Sequence, residues 1–123
     1  MNIASNVNFF LGLQLQLKIN HWQTKGHARH SAFGDTYNKI NDLIDEYVEQ
    51  AMGKYGRFIL DEETKKIELL NLNELDVNNF ISAVTNGLVN FTKELDQTDT
   101  NLLNIRDEIL GEMYKLSYLL TQE

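Results

Sequence analysis

A chain of 123 residues, 42% apolar and 24% charged, has room for one folded domain and is too apolar for disorder. Its formal charge of −7 disfavours a nonspecific electrostatic grip on nucleic acid, which needs a surplus of lysine and arginine. Cysteine is absent, which excludes disulfides, thiolate metal sites and cysteine nucleophiles, so any metal must be held by His, Asp, Glu or backbone oxygen. Proline is absent too, as suits long helices joined by glycine and asparagine. The most apolar stretch, Phe9 to Ile19, is interrupted by Gln14, Gln16 and Lys18 and is too short to span a bilayer. With no basic start or small-residue cleavage site at the N-terminus, a cytoplasmic protein is expected.

In chain order, four segments carry helical periodicity and predict helices near residues 4–25, 30–55, 75–95 and 99–121. The first places Phe10, Leu13, Leu17 and His21 near one face. The second carries the stripe Phe33, Tyr37, Ile40, Ile44, Val48, Ala51 and Tyr55, stepping by three and four as a helix burying one side does. The third has Val77, Ile81, Val84, Leu88, Phe91 and Leu95; the fourth has Leu102, Ile105, Ile109, Met113, Leu116 and Leu120. These alternating steps are the seam of left-handed bundles, so the expected fold class is all-α.

The junctions order the helices. Gly26 through His30 reads as a short turn that makes the first two helices antiparallel neighbours, and Asp96 to Asp99 as another, with Thr98 or Asp99 able to cap the fourth helix. Between the second and third helices lies a long link from Gly56 to Leu72. One long connection between two hairpins is the ferritin-like arrangement, in which the middle link crosses the length of the bundle. A link of that length predicts a short helix or docked strand of its own. The whole of residues 1–123 reads as this single bundle domain.

The candidate chemistry sits at the first junction and along the second helix. All three histidines, His21, His27 and His30, fall within ten residues, with Trp22 beside the first. Taken alone they read either as core or capping histidines or as an imidazole-rich site, and Trp22 as a core anchor. The second helix supplies Asp42, Asp45, Glu46 and Glu49, with Asp42, Asp45 and Glu49 on one face. These carboxylates read either as a solvated acidic face or as ligands for an oxygen-loving metal such as iron, magnesium or manganese. Asn38, Asn41, Asp45 and Glu49 form a polar stripe away from Ile40, Ile44 and Val48, facing solvent or another subunit. His30 and Asp45 are fifteen positions apart on one helix, roughly 22 Å at 1.5 Å per residue. One metal cannot touch both within a chain, and the Glu-x-x-His pair of di-iron bundles is absent from the sequence. A site using both ends is therefore shared between two antiparallel copies.

The segment from Asn20 to Gly53, with His21-Trp22-x-x-x-Gly26 at its start and Asp45-x-x-x-Glu49-x-Ala51 near its end, resembles the signature of the Dps mini-ferritins. Asp99-Thr100-x-Leu102-Leu103 and the apolar helix after it fit as well. The resemblance implies a homo-oligomeric, dodecameric shell whose two-fold interfaces carry sites that oxidise ferrous iron, which the shell stores as mineral. It implies His21, His30, Asp45 and Glu49 as metal ligands and Trp22 as a residue behind them. The family has an Asp one helical turn after its second histidine. This chain has Gly34 there, so the resemblance implies water or a side chain such as Asp35 or Asp42 in that place. The alternative is a ferritin-like structural or regulatory oligomer without the chemistry. Duplex DNA binding is not expected, because residues 1–7 carry no lysine or arginine.

Overall fold

The computed structural model describes residues 2–122, the side chain of Thr92 excepted. The described residues form four long helices and no strand: α1 (Ile3–Gln23), α2 (His27–Tyr55), α3 (Val77–Glu94) and α4 (Thr100–Leu119). None of these helices is long and apolar enough to cross a membrane.

Local chemistry sets most of the ends. Asn2 caps α1 by accepting the Ser5 amide at 3.1 Å, and Asp76 caps α3 by accepting the Asn79 amide at 3.1 Å. α2 stops at Gly56, whose φ of 89° is left-handed backbone that glycine adopts without strain. Its start differs from expectation. α2 begins at His27 behind Gly26, so the connection shrinks to residues 24–26 and both His27 and His30 lie on the helix.

The expected stripes form the core: Phe10, Leu13 and Leu17; Phe33, Ile40, Ile44 and Ala51; Ile81, Val84, Leu88 and Phe91; Leu102, Ile105, Ile109, Met113 and Leu116. Burying each large apolar side chain contributes about 1.5–3 kcal/mol. On α2 the stripe is displaced. Tyr55 is exposed and Tyr37 and Val48 are only partly buried, while Tyr47 is fully buried. Tyr47 stacks edge-on against Phe10 at 4.8 Å and accepts a hydrogen bond from the buried Asn6 amide at 3.0 Å. The polar tip thus finds a partner inside an aromatic core, as a buried tyrosine must. Burial, with Asp99 nearby, pushes its hydroxyl well above the ordinary tyrosine range.

Side-chain bonds fix the helix directions. Asn6 meets Tyr47 and His21 meets His30, so α1 and α2 are antiparallel. Lys54 and Tyr55 meet Asp99, so α2 and α4 are antiparallel as well. The link returns along α1 in the same direction as that helix, held by three side chains spaced two turns apart. Asn8 donates to the carbonyls of Thr64 and Lys66 at 2.7 Å each. Gln16 donates to the Leu70 carbonyl at 2.9 Å and accepts the Leu70 amide at 3.0 Å, and Gln23 accepts the Leu72 amide at 2.7 Å. In place of the expected helix or docked strand, the link is an extended strap ending in one 3-10 turn at Leu72–Glu74. The strap delivers the chain to the far end of α1, and α3 runs back parallel to α2. Across the α1–α3 seam the Phe9 ring lies on Gly87, where a Cβ would come within 2.6 Å of it.

Candidate metal centre

The short α1–α2 connection brings His21, at the end of α1, against His30, in the first turns of α2. The rings stack with centroids 3.8 Å apart and planes at 24°. Each ring bonds the other residue's backbone: His21 Nδ1 is 2.8 Å from the His30 carbonyl oxygen, and His30 Nδ1 is 2.8 Å from the His21 carbonyl oxygen. A carbonyl oxygen carries no proton, so each Nδ1 is the donor and the tautomer of both rings follows from the partner. In the tautomer so fixed, the lone pair of each ring is on Nε2. Metal-binding imidazoles show the same arrangement, with the non-ligating N–H donated to a carbonyl or carboxylate.

Gly34 makes the close approach possible. A Cβ built there would sit 2.7 Å from His21 Cε1 and 2.8 Å from His21 Nδ1. The ring of His21 therefore lies directly on the α2 backbone, and no carboxylate side chain fits at position 34 while the ring stays. The expected substitutes do not face the pair either. Asp35 lines the α2–α4 groove with Lys39, Glu112 and Lys115, and Asp42 lines its continuation with Leu43, Glu108 and Gly111.

The remaining predicted residues lie apart from the two rings. His27 is exposed, and among the described residues no hydrogen bond or ring contact joins it to the pair. Asp45, Glu46 and Glu49 are exposed along α2, with Glu46 accepting from Gln50 at 3.0 Å. Asn41 faces α1, where Gln14 donates to it, and Asn38 is exposed. Trp22 is not a core anchor. It is 65% exposed, and the Lys18 ammonium sits 5.3 Å from its ring and 4.6 Å from that of Tyr37. Among the described residues no three His, Asp or Glu side chains come together as a metal cluster. Two imidazoles are what one chain brings to one place.

Three features went unread in the sequence. Gly34 looked like a lost ligand and is the seat of His21. Gln16 looked like an interruption of an apolar stretch and Asn8 and Gln23 drew no reading, yet the three hold the strap; their spacing of eight and seven was the available signal. Asp99 looked like a cap, yet it makes no side-chain capping bond to α4. Its fully buried carboxylate instead accepts from Lys54 Nζ at 2.6 Å, Tyr55 OH at 2.6 Å and the Asp96 amide at 2.9 Å. Burial alone would raise its pKa, but these three donors outweigh burial and hold it below the ordinary carboxylate range. The same contact raises both Lys54 and Tyr55.

Residues 21–120 match a family described as "Family of unknown function (DUF5856)". The chain belongs to this family. The matched span opens on His21 and contains His30, Gly34, Asp45, Glu49 and Asp99. The chain is also similar, at 28% identity over 123 residues, to the uncharacterized 14.6 kDa protein in the mobD-ri intergenic region of Enterobacteria phage T4, covering 97% of this chain and 91% of that protein. Over 82 residues it is 38% identical to the DNA replication and repair protein RecF of Clostridium botulinum (strain Okra / Type B1), covering 61% of this chain. It spans only 21% of that RecF. No solved structure matches the chain.

Proposed function

We propose that the protein is a Dps-like, ferritin-like module that binds divalent metal at a site shared by two copies, with ferrous iron as the substrate it oxidises and stores. The observation that carries this reading is the reciprocal bonding of His21 and His30 through Nδ1, which leaves Nε2 of each ring outside those bonds. Imidazole nitrogen suits ferrous iron, and carboxylate oxygen suits the ferric product. Asp45 and Glu49 of the partner subunit would supply the oxygens, since α2 carries its own Asp45 and Glu49 away from its own His30 by more than two turns of helix. The charge pattern of α2 supports such a pairing: Arg29 lies in its first turn, just after Lys25, and Asp42, Asp45, Glu46 and Glu49 follow in its second half. An antiparallel partner sets the acidic half of one helix beside the basic end of the other. Trp22, exposed beside Lys18, lies at the same end of α1 as His21, where a partner would cover it and place it behind the ligands. The strap that crosses the bundle between α2 and α3 supports the ferritin-like reading of the fold.

A second reading is favoured by one observation, the glycine at position 34: a ferritin-like oligomer, structural or regulatory, without ferrous oxidation. DNA binding is not part of either reading, because the net charge is −7 and the similarity to RecF covers a fifth of that protein. Anaerobic ferrous titration followed by exposure to oxygen or peroxide separates the two. The first reading expects saturable binding and oxidation faster than in buffer, both lost in His21→Ala and Glu49→Ala with helicity unchanged. Wild-type oxidation no faster than buffer, in a protein that still assembles, selects the second.

A further inference from the structure

We propose that Gly34 is a positioning residue: by leaving room for the His21 ring on the α2 backbone, it sets His21 and His30 as a locked pair whose two Nε2 atoms are ready for a divalent metal. The metal half of this inference rests on the reading above; the positioning half rests on geometry alone. Any side chain at 34 would meet His21 within 2.8 Å at two ring atoms. The ring cannot retreat without losing its Nδ1–H bond to the His30 carbonyl, and the stacked His30 ring would lose its face contact with it. The His30 ring keeps its own bond to the His21 backbone carbonyl but loses the ring stacked on it. One methyl group at position 34 thus unlocks His21 and unstacks the pair. A free imidazole exchanges between two tautomers and turns about its side-chain bonds. The locked pair has already lost that freedom before a metal arrives, which favours binding. Gly34 therefore trades a possible cis carboxylate for two preorganised nitrogen donors.

Long-range proton–nitrogen NMR of the histidine rings in the metal-free protein, together with cobalt(II) titration, tests this. In wild type both rings should show Nδ1–H, and cobalt should bind saturably. In Gly34→Ala the Nδ1–H signature of His21 should be lost and cobalt affinity should fall about 10–100-fold, the usual cost of removing support behind a metal ligand. The double variant His21→Ala/Gly34→Ala controls for misfolding: with the ring gone the methyl has space, so its helicity should equal that of His21→Ala. An Nε2–H signature on either wild-type ring overturns the proposal, as does a Gly34→Ala protein that keeps the His21 Nδ1–H signature and wild-type cobalt affinity. If the signatures behave as expected but cobalt binds neither protein, the metal reading fails, and the ligand role assigned to the pair falls with it.

Discussion

The two ends of α2 join their neighbours by polar contacts of opposite character. At the last turn, Asp99 from the α3–α4 junction is buried and accepts from Lys54, Tyr55 and the Asp96 amide, so its charge is answered within the chain. At the first turns, His21 and His30 answer only half of each ring and leave Nε2 unspent. A closed polar network stabilises a junction and offers nothing to a ligand, whereas a half-satisfied one, held rigidly, offers lone pairs in a fixed direction. The contrast makes the Asp99 end a closed structural junction and the histidine end the place where the proposed chemistry is to be tested.

The largest expected effect comes from breaking the closed end. Asp99→Ala should cost about 2–3 kcal/mol, since it removes charged hydrogen bonds and strands the Asp96 amide, while Lys54 and Tyr55 can turn to water. A lower urea midpoint with unchanged cobalt affinity would match the contrast; loss of cobalt binding would blur it.

Gly34→Ala comes next. At an open helical site this change would stabilise by up to about 1 kcal/mol. Here the clash with His21 should reverse the sign, with a net loss of about 1–3 kcal/mol in the range of overpacked cores. In a His21→Ala background the penalty should vanish, because the two residues share one space. Equal penalties in both backgrounds would show that the ring does not rest on Gly34.

The closed end also predicts a pH dependence. The folded-state pKa of Asp99 is depressed, so its stabilisation is present above the unfolded carboxylate value of about 3.9 and fades as pH falls through the lower folded value. Thermal melts from pH 6 downward should show a smaller acid loss in Asp99→Ala than in wild type. An identical loss in both would place the acid sensitivity elsewhere.

The smallest effect is a gain. Gly111 lies inside α4 with nothing within 4 Å of a would-be Cβ, so Gly111→Ala should stabilise by about 0.5–1 kcal/mol. A loss there would mean that open space around a helical glycine does not decide the sign, which would weaken the same reasoning at Gly34.

Much of the fold was legible because burial repeats. The stripes of α3 and α4, stepping by three and four, identified the buried residues directly, and the three junction lengths gave the order of the helices. On α2 the periodicity misplaced Tyr55 and passed over Tyr47, because a tyrosine can be buried only where its hydroxyl finds a partner, and that partner is Asn6 on another helix. The strap was legible as a long link with structure of its own, but its partners on α1 were not, because they are amide side chains 49 to 58 residues away in sequence. The histidine cluster was visible as composition. Its division into a stacked pair and an exposed His27 was not, since that depends on α2 starting at His27. Gly34 was hardest to read: a glycine shows what is missing from its own side chain and nothing about the ring that occupies the space.

The central claim is that the two imidazoles form half of a metal site completed by a second copy. Anomalous diffraction from crystals soaked anaerobically in ferrous iron measures it directly. The account predicts an iron peak within bonding distance of Nε2 of His21 or His30, with Asp45 or Glu49 of the partner subunit completing its coordination. Iron bound elsewhere, or a fully soaked crystal with no peak beside either ring, would contradict it.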